Sequence, residues 1–176
     1  METNQNTYKK IALIFGLIYG LIGVGLSIFL YSLNKHLDQP DWSHIFKIIV
    51  GLSITFIAIF IYRKKLNGFI SVEQAIKLGV AVSLIAGVIE ATSNEVYFSQ
   101  IEKLEIKEER LVEAKKQFEE TYKDSSAEEI EKGVETTKKF MEPVTRIAIG
   151  TMWMVFIGLI YSLIAGLILQ KKKPIA

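Results

Sequence analysis

Four long apolar runs dominate this sequence and restrict what the chain can fold into. They cover residues 11–33, 45–62, 76–98 and 147–169, and the first and last contain no charged residue. About 20 apolar residues in a helix cross the roughly 30 Å hydrocarbon core of a bilayer. Because a backbone in lipid must satisfy its own hydrogen bonds, only helices suit single runs of this kind. We therefore predict an all-α fold, a four-helix transmembrane bundle in contact with the lipid bilayer.

The first run has an alternative interpretation as a cleaved signal peptide, because Lys9 and Lys10 precede it. A signal peptide has a shorter apolar region, followed by a cleavage site of small residues. This run is longer, and residues 34–41 contain no such site. We therefore expect the run to remain as the first span.

Basic residues near the ends of the runs predict the orientation of the spans. Lys9 and Lys10 precede the first run, and clusters at 63–65 and 171–173 follow the second and fourth. Lys and Arg are enriched in cytoplasmic loops. The pattern places residues 1–10, 63–75 and 170–176 in the cytoplasm, whereas the loop at 34–44 and the segment 99–146 face outward.

The segment 99–146 carries 13 acidic and 10 basic residues, a far higher density of charged residues than the rest of the chain has. Apolar residues recur in it at helical spacing, at Ile101, Leu104, Leu111, Phe118 and Tyr122. A break is expected near residues 124–126, and Ser126 followed by Glu129 is a capping box that starts a second helix. The pattern predicts a helical hairpin outside the bilayer. Its apolar stripes either pack on each other or dock a partner through residues 99–142.

Small residues recur every four positions in three of the four runs. Such stripes let helix backbones approach closely in lipid. Packing within the chain and self-association through one stripe both remain open. The predicted helix-packing residues are Gly16, Gly20, Gly79, Ser83, Gly87, Gly158, Ser162 and Gly166.

The loop between the second and third runs holds a short motif, Asn67-Gly68-Phe69-Ile70-Ser71, followed by Ala75, Lys77 and Gly79. It resembles the central motif of domain-of-unknown-function family 4199, four-helix membrane proteins found mostly in Bacteroidetes. One glycine of the family's usual pair is missing, and Ile76 replaces an aromatic residue. The resemblance covers nearly the whole chain and implies a multi-pass protein of the bacterial cytoplasmic (inner) membrane. It implies no activity.

The same motif has a physical interpretation. Asn67-Gly68 is a turn signal, and Ser71 followed by Gln74 is a capping box that would start the third helix. A lipid-headgroup or ligand site beside this helix start, with basic residues nearby, is the functional alternative to a plain capped turn.

Glu90 is the one acid well inside a predicted span, and an ionisable residue there is a functional candidate by default. Its expected partners are Tyr19, Tyr161, Asn94, Lys47 or Arg146. Glu95 lies nearer the surface, where we expect solvation to explain it. The outer loop has His36, Asp38, Asp41 and His44, but their spacing does not favour a metal site, and we predict none.

The sequence contains no phosphate loop, dinucleotide fingerprint, nucleophile elbow or zincin motif, and it has no cysteine. We expect no catalytic residue, no cofactor and no nucleic-acid partner. The leading hypothesis is a non-enzymatic protein that associates with itself or with an envelope protein through residues 99–142. The alternative is a small oligomeric transporter or channel subunit that uses Glu90.

Overall fold

A computed structural model describes residues 2–33, 40–101, 112, 115–117 and 126–171. Several sequence predictions fall outside these residues. They concern His36 and Asp38, most of the first hairpin arm, the break before Ser126, and the basic tail after Lys171.

Five helices have bounds that the described residues define, residues 112 and 115–117 are also helical, and the predicted all-α class is confirmed. The five helices are α1 (Glu2–Ser32), α2 (Asp41–Lys65), α3 (Val72–Ile101), α4 (Ala127–Phe140) and α5 (Pro143–Leu169). Four of them are long and apolar enough to cross a membrane, over Asn6–Ser32, Asp41–Lys65, Val72–Tyr97 and Pro143–Leu169. The helix bounds extend beyond the apolar runs, because capping and turn residues rather than hydrophobicity end a helix.

Local capping explains where three of these helices begin. At α3, Ser71 Oγ accepts from the Gln74 amide at 3.2 Å, and Gln74 Oε1 accepts from the Ser71 amide at 3.0 Å. At α4, Ser126 and Glu129 form the same reciprocal capping box. Both predicted capping boxes are therefore present. Helix α5 begins with Pro143, which suits a first helical position because its missing N–H has no intrahelical partner there.

The chain divides into two compact units, Met1–Glu90 with Gly150–Ala176, and Ala91–Ile149. In the first unit the membrane helices pack around a shared apolar core, with Ala58, Ile59, Leu78, Val82 and Ala165 almost fully buried. Long side chains on the other faces are exposed, with Leu21 62% and Ile168 66% accessible. A wide exposed apolar surface suits lipid rather than water, so this is a multi-pass membrane protein.

Candidate functional site

Glu90 lies inside the first unit and has a cationic neighbour on another helix. Its Oε1 is 3.4 Å from Lys47 Nζ of α2, and the two side chains are 13% and 34% exposed. Helix α1 allows this approach at Gly23, where an added Cβ would be 2.6 Å from Glu90 Oε2. Lys47, one of the five expected partners of Glu90, is thus the residue that forms an ion pair with it. The pair joins α2 to α3 next to α1.

Tyr19 of α1 and Tyr161 of α5 pack against α2 at Gly51, one helical turn after Lys47. A side chain on Gly51 would collide with the Tyr19 hydroxyl and with the Tyr161 ring, 2.6 Å from its Cε2. Tyr19 and Tyr161 are 6% and 9% exposed. Further along α2, Thr55 is fully buried, and its hydroxyl has no hydrogen-bond partner among the described residues. Polar groups from α1, α2 and α5 therefore line part of the bundle interior.

Glu95 is not solvated, so the sequence interpretation of this residue was wrong. Arg146 of α5 donates to it from Nε and Nη2, both at 2.8 Å, and the Glu95 side chain is only 9% exposed. The paired, forked geometry is the strongest form of a carboxylate–guanidinium contact. Glu95 lies two residues before the third span ends at Tyr97, and Arg146 lies three residues after the fourth begins at Pro143. We call this pair the clamp.

The clamp could not be found by scanning for local motifs, because its partners are 51 residues apart. One signal was available. Arg146 directly precedes the uncharged run 147–169, at the end opposite to the basic cluster 171–173 from which the sequence predicts the cytoplasmic side. A cation at the end of an apolar span is expected to pair with an acidic residue. Glu95 is such a residue, because it lies near the end of the third run, 76–98.

The predicted helix-packing residues make contacts within the chain. Ser162 of α5 packs against Gly79 of α3, and Ser83 of α3 packs against Gly158 of α5. The two helices therefore make two reciprocal glycine–serine contacts. An added Cβ on Gly166 would lie 3.0 Å from Ala75 Cβ, and one on Gly87 2.9 Å from Met154 Cβ. Gly16 and Gly20 of α1 face Ile85 and Ile89 of α3 in the same way. All eight residues therefore serve packing inside the first unit.

The motif residues form a tight turn at one end of the bundle. Asn67 and Gly68 have positive φ values of 56° and 84°, as the predicted turn requires. Arg63 Nε donates to the Gly68 carbonyl at 2.9 Å and holds the turn against α2. Ile70 is 2% exposed and makes an antiparallel bridge with Lys171, which joins the motif to the end of α5.

A cavity of about 600 Å³ opens beside this turn, and both Ser71 and Lys77 line it. Ala75 and Gly79 instead point into the core, where Ala75 is fully buried and Gly79 contacts Ser162. The family-like motif thus has two parts, one that packs α3 onto α5 and one that lines an open cavity.

Helix α4 carries a charged face and a half-covered apolar face. Ile130, Val134 and Met141 are partly buried, whereas Phe140 is 54% exposed. Exposed ion pairs four residues apart, such as Glu128 with Lys132 at 2.8 Å, line the charged face. An open groove of about 500 Å³ runs along this charged face, lined by Val134 together with charged residues such as Glu131 and Lys132.

Among the described residues, no group of three or more His, Asp or Glu side chains is placed to hold a metal ion. The expectation of no metal at His36 and Asp38 remains a prediction, because those residues lie outside the described ranges.

Comparison with known proteins gives one match. A family model described as "Protein of unknown function (DUF4199)" matches residues 14–171, which is most of the chain. No curated protein and no solved structure matches it.

Proposed function

Because this chain belongs to the DUF4199 family, whose description assigns no activity, we propose its role from its own geometry. It is a non-enzymatic protein of the bacterial cytoplasmic membrane that works by association, with a second copy or with another envelope protein. The association surface is the charged segment 99–142, on the outer side. Both termini are cytoplasmic, as the basic clusters indicate.

The clamp is the observation that carries this proposal. Glu95 and Arg146 lie just before and just after the charged segment, and their two-point contact fixes its ends to each other. A loop whose ends are fixed loses less conformational entropy when it binds a partner. A solvated hairpin with no partner would gain little from a buried ion pair at its base, because desolvation offsets much of the attraction.

Helix α4 supports the same role by its composition. Phe140 exposes more than half of its surface at the end of a helix that is otherwise rich in Glu and Lys. Aromatic side chains are enriched in protein–protein interfaces, whereas exposed Glu and Lys are depleted at their centres. Phe140 is therefore the part of α4 most suited to contact a partner.

The proposal predicts that replacing residues 99–142 with a short Gly-Ser linker abolishes association. The full-length protein would be purified gently from native membranes and its mass determined with its lipids and partners attached. We expect a homo-oligomer or a partner at fixed stoichiometry, and a lone chain after the replacement. The thermal unfolding midpoint of the replaced protein would report whether the four-helix unit still folds. A mass unchanged by the replacement contradicts the proposal.

The Lys47–Glu90 pair favours a second candidate function, a small oligomeric transporter or channel subunit. A carboxylate at 13% exposure within a span is costly, and such a residue is a candidate for an ion or proton pathway. The buried hydroxyls of Tyr19 and Thr55 extend this polar strip along α2. Four helices are few for a pathway, so this function also requires oligomers.

For this second function we expect proton or cation flux in liposomes to fall to the protein-free background when Glu90 becomes Gln. Glu73→Gln is the matched control, because Glu73 is an exposed acid on the same helix, paired with Lys77. Flux that survives Glu90→Gln removes Glu90 from the mechanism, and absence of flux in the wild type removes the function.

A further inference from the structure

The cavity beside the family motif is lined by elements that meet at one end of the bundle. Lys65 comes from the last turn of α2, Lys77 from the start of α3, and Lys171 from the residues after α5. The bridge between Ile70 and Lys171, with N–O distances of 3.1 and 3.0 Å, fixes two of these elements together. The cavity is therefore built by long-range contacts and not by the loop alone.

The charge of the cavity is positive. Three lysines line it, with Glu73 as the acidic residue among its described lining. Lys77 pairs with Glu73 at 2.6 Å, which leaves the charges of Lys65 and Lys171 uncompensated by that acid. The Lys171 ammonium lies 5.7 Å from the centre of the Phe69 ring, so an aromatic face holds one cation beside the cavity.

The cavity lies at the ends of membrane spans. The second span ends at Lys65, the third begins at Val72, and the fourth ends at Leu169. The lining combines apolar residues, Leu66, Phe69 and Ile70, with the three lysines. The helix start itself is already satisfied, because Ser71 and Gln74 cap each other. A ligand would thus contact the lysines and the apolar lining residues rather than the first amides of α3.

We propose that this cavity binds the phosphate headgroup of an anionic phospholipid, with Lys65 and Lys171 as the cations that contact it. Basic pockets between membrane helices at the bilayer surface have the charge that such headgroups require. The apolar lining residues Leu66, Phe69 and Ile70 suit the glycerol and upper acyl chain of a lipid, which a free phosphate lacks. The ligand is therefore a lipid and not a soluble anion.

The test compares lipids retained by the full-length protein. Protein reconstituted in vesicles of equal phosphatidylcholine and phosphatidylglycerol would be released gently and its bound lipids counted by native mass spectrometry. We expect preferential retention of phosphatidylglycerol, weakened on the order of 30-fold in the Lys65→Gln/Lys171→Gln double variant, since each lysine near a surface contributes about a five- to sixfold effect.

The matched control is the Lys10→Gln/Lys64→Gln double variant, which removes the same charge, one lysine from α1 and one from α2. Neither residue lines the cavity, and Lys64 instead lies over the Phe60 ring. We expect this variant to keep the preference. Equal loss in both variants, or no preference in the wild type, overturns the proposal. Lysine-dependent binding of inorganic phosphate without lipid preference also overturns it, in favour of a soluble anion.

Discussion

Replacing Gly158 with serine lowers the free energy of unfolding by about 1–3 kcal/mol, the usual cost of overpacking a close interface. A side chain at this position would overlap Ser83 and lie 3.5 Å from the Gly79 carbonyl oxygen. Ser83 is fully buried at this interface, so it cannot turn out into the surroundings to relieve the overlap. Unfolding in mixed detergent, followed by loss of helical signal, measures the change.

The contact geometry supplies both a control and a rescue for this prediction. Gly25 of α1 has no atom within 4 Å of where a Cβ would stand, so Gly25→Ser should leave stability almost unchanged. The double variant Ser83→Gly/Gly158→Ser again places one glycine and one serine at this contact of α3 with α5. We expect it to recover most of the lost free energy of unfolding. A Gly158→Ser variant as stable as the wild type would contradict the described packing of α3 on α5.

Replacing Arg146 with glutamine removes about 3–5 kcal/mol of stability, the expected cost of leaving a buried charge unpaired. The Glu95 carboxylate would lose both of its 2.8 Å donors while remaining 9% exposed. The exchange of partners, Glu95→Arg with Arg146→Glu, keeps one charge of each sign and should recover part of the loss. Both measurements use the same detergent unfolding series.

The control for the clamp is an exposed ion pair of the same unit. Glu128 and Lys132 are 77% and 70% exposed and lie four residues apart on α4. Such pairs contribute little because solvent screens them, so Glu128→Gln should change stability by a small fraction of the Arg146 effect. If the two substitutions cost the same, the clamp is not a buried interaction.

The four spans could be predicted from sequence because the apolar runs are long and nearly free of charge. In lipid, a single run must also form a helix to satisfy its backbone hydrogen bonds. The starts of α3 and α4 were equally accessible, since Ser71 with Gln74 and Ser126 with Glu129 are local signals. Each capping box depends only on two residues that lie three positions apart. No knowledge of the fold is needed to find them.

The partners of the charged groups were harder to predict. Glu90 was recognised as a candidate, but five partners were equally consistent with its position, because helix rotation in a bundle depends on packing. Glu95 was misinterpreted for the same reason, since its burial depends on Arg146, 51 residues away. Likewise the small-residue stripes indicated close packing without showing that Gly79 would meet Ser162 of the same chain.

Photo-crosslinking from Phe140 in native membranes tests the proposed association most directly. A photoreactive phenylalanine analogue at Phe140 changes the exposed ring little, and the same analogue at Glu128 probes the charged face of the same helix. The account predicts a discrete protein adduct from Phe140, either a dimer of this chain or one heavier partner, and none from Glu128. No protein adduct from Phe140, or equal adducts from both positions, would contradict association through this segment.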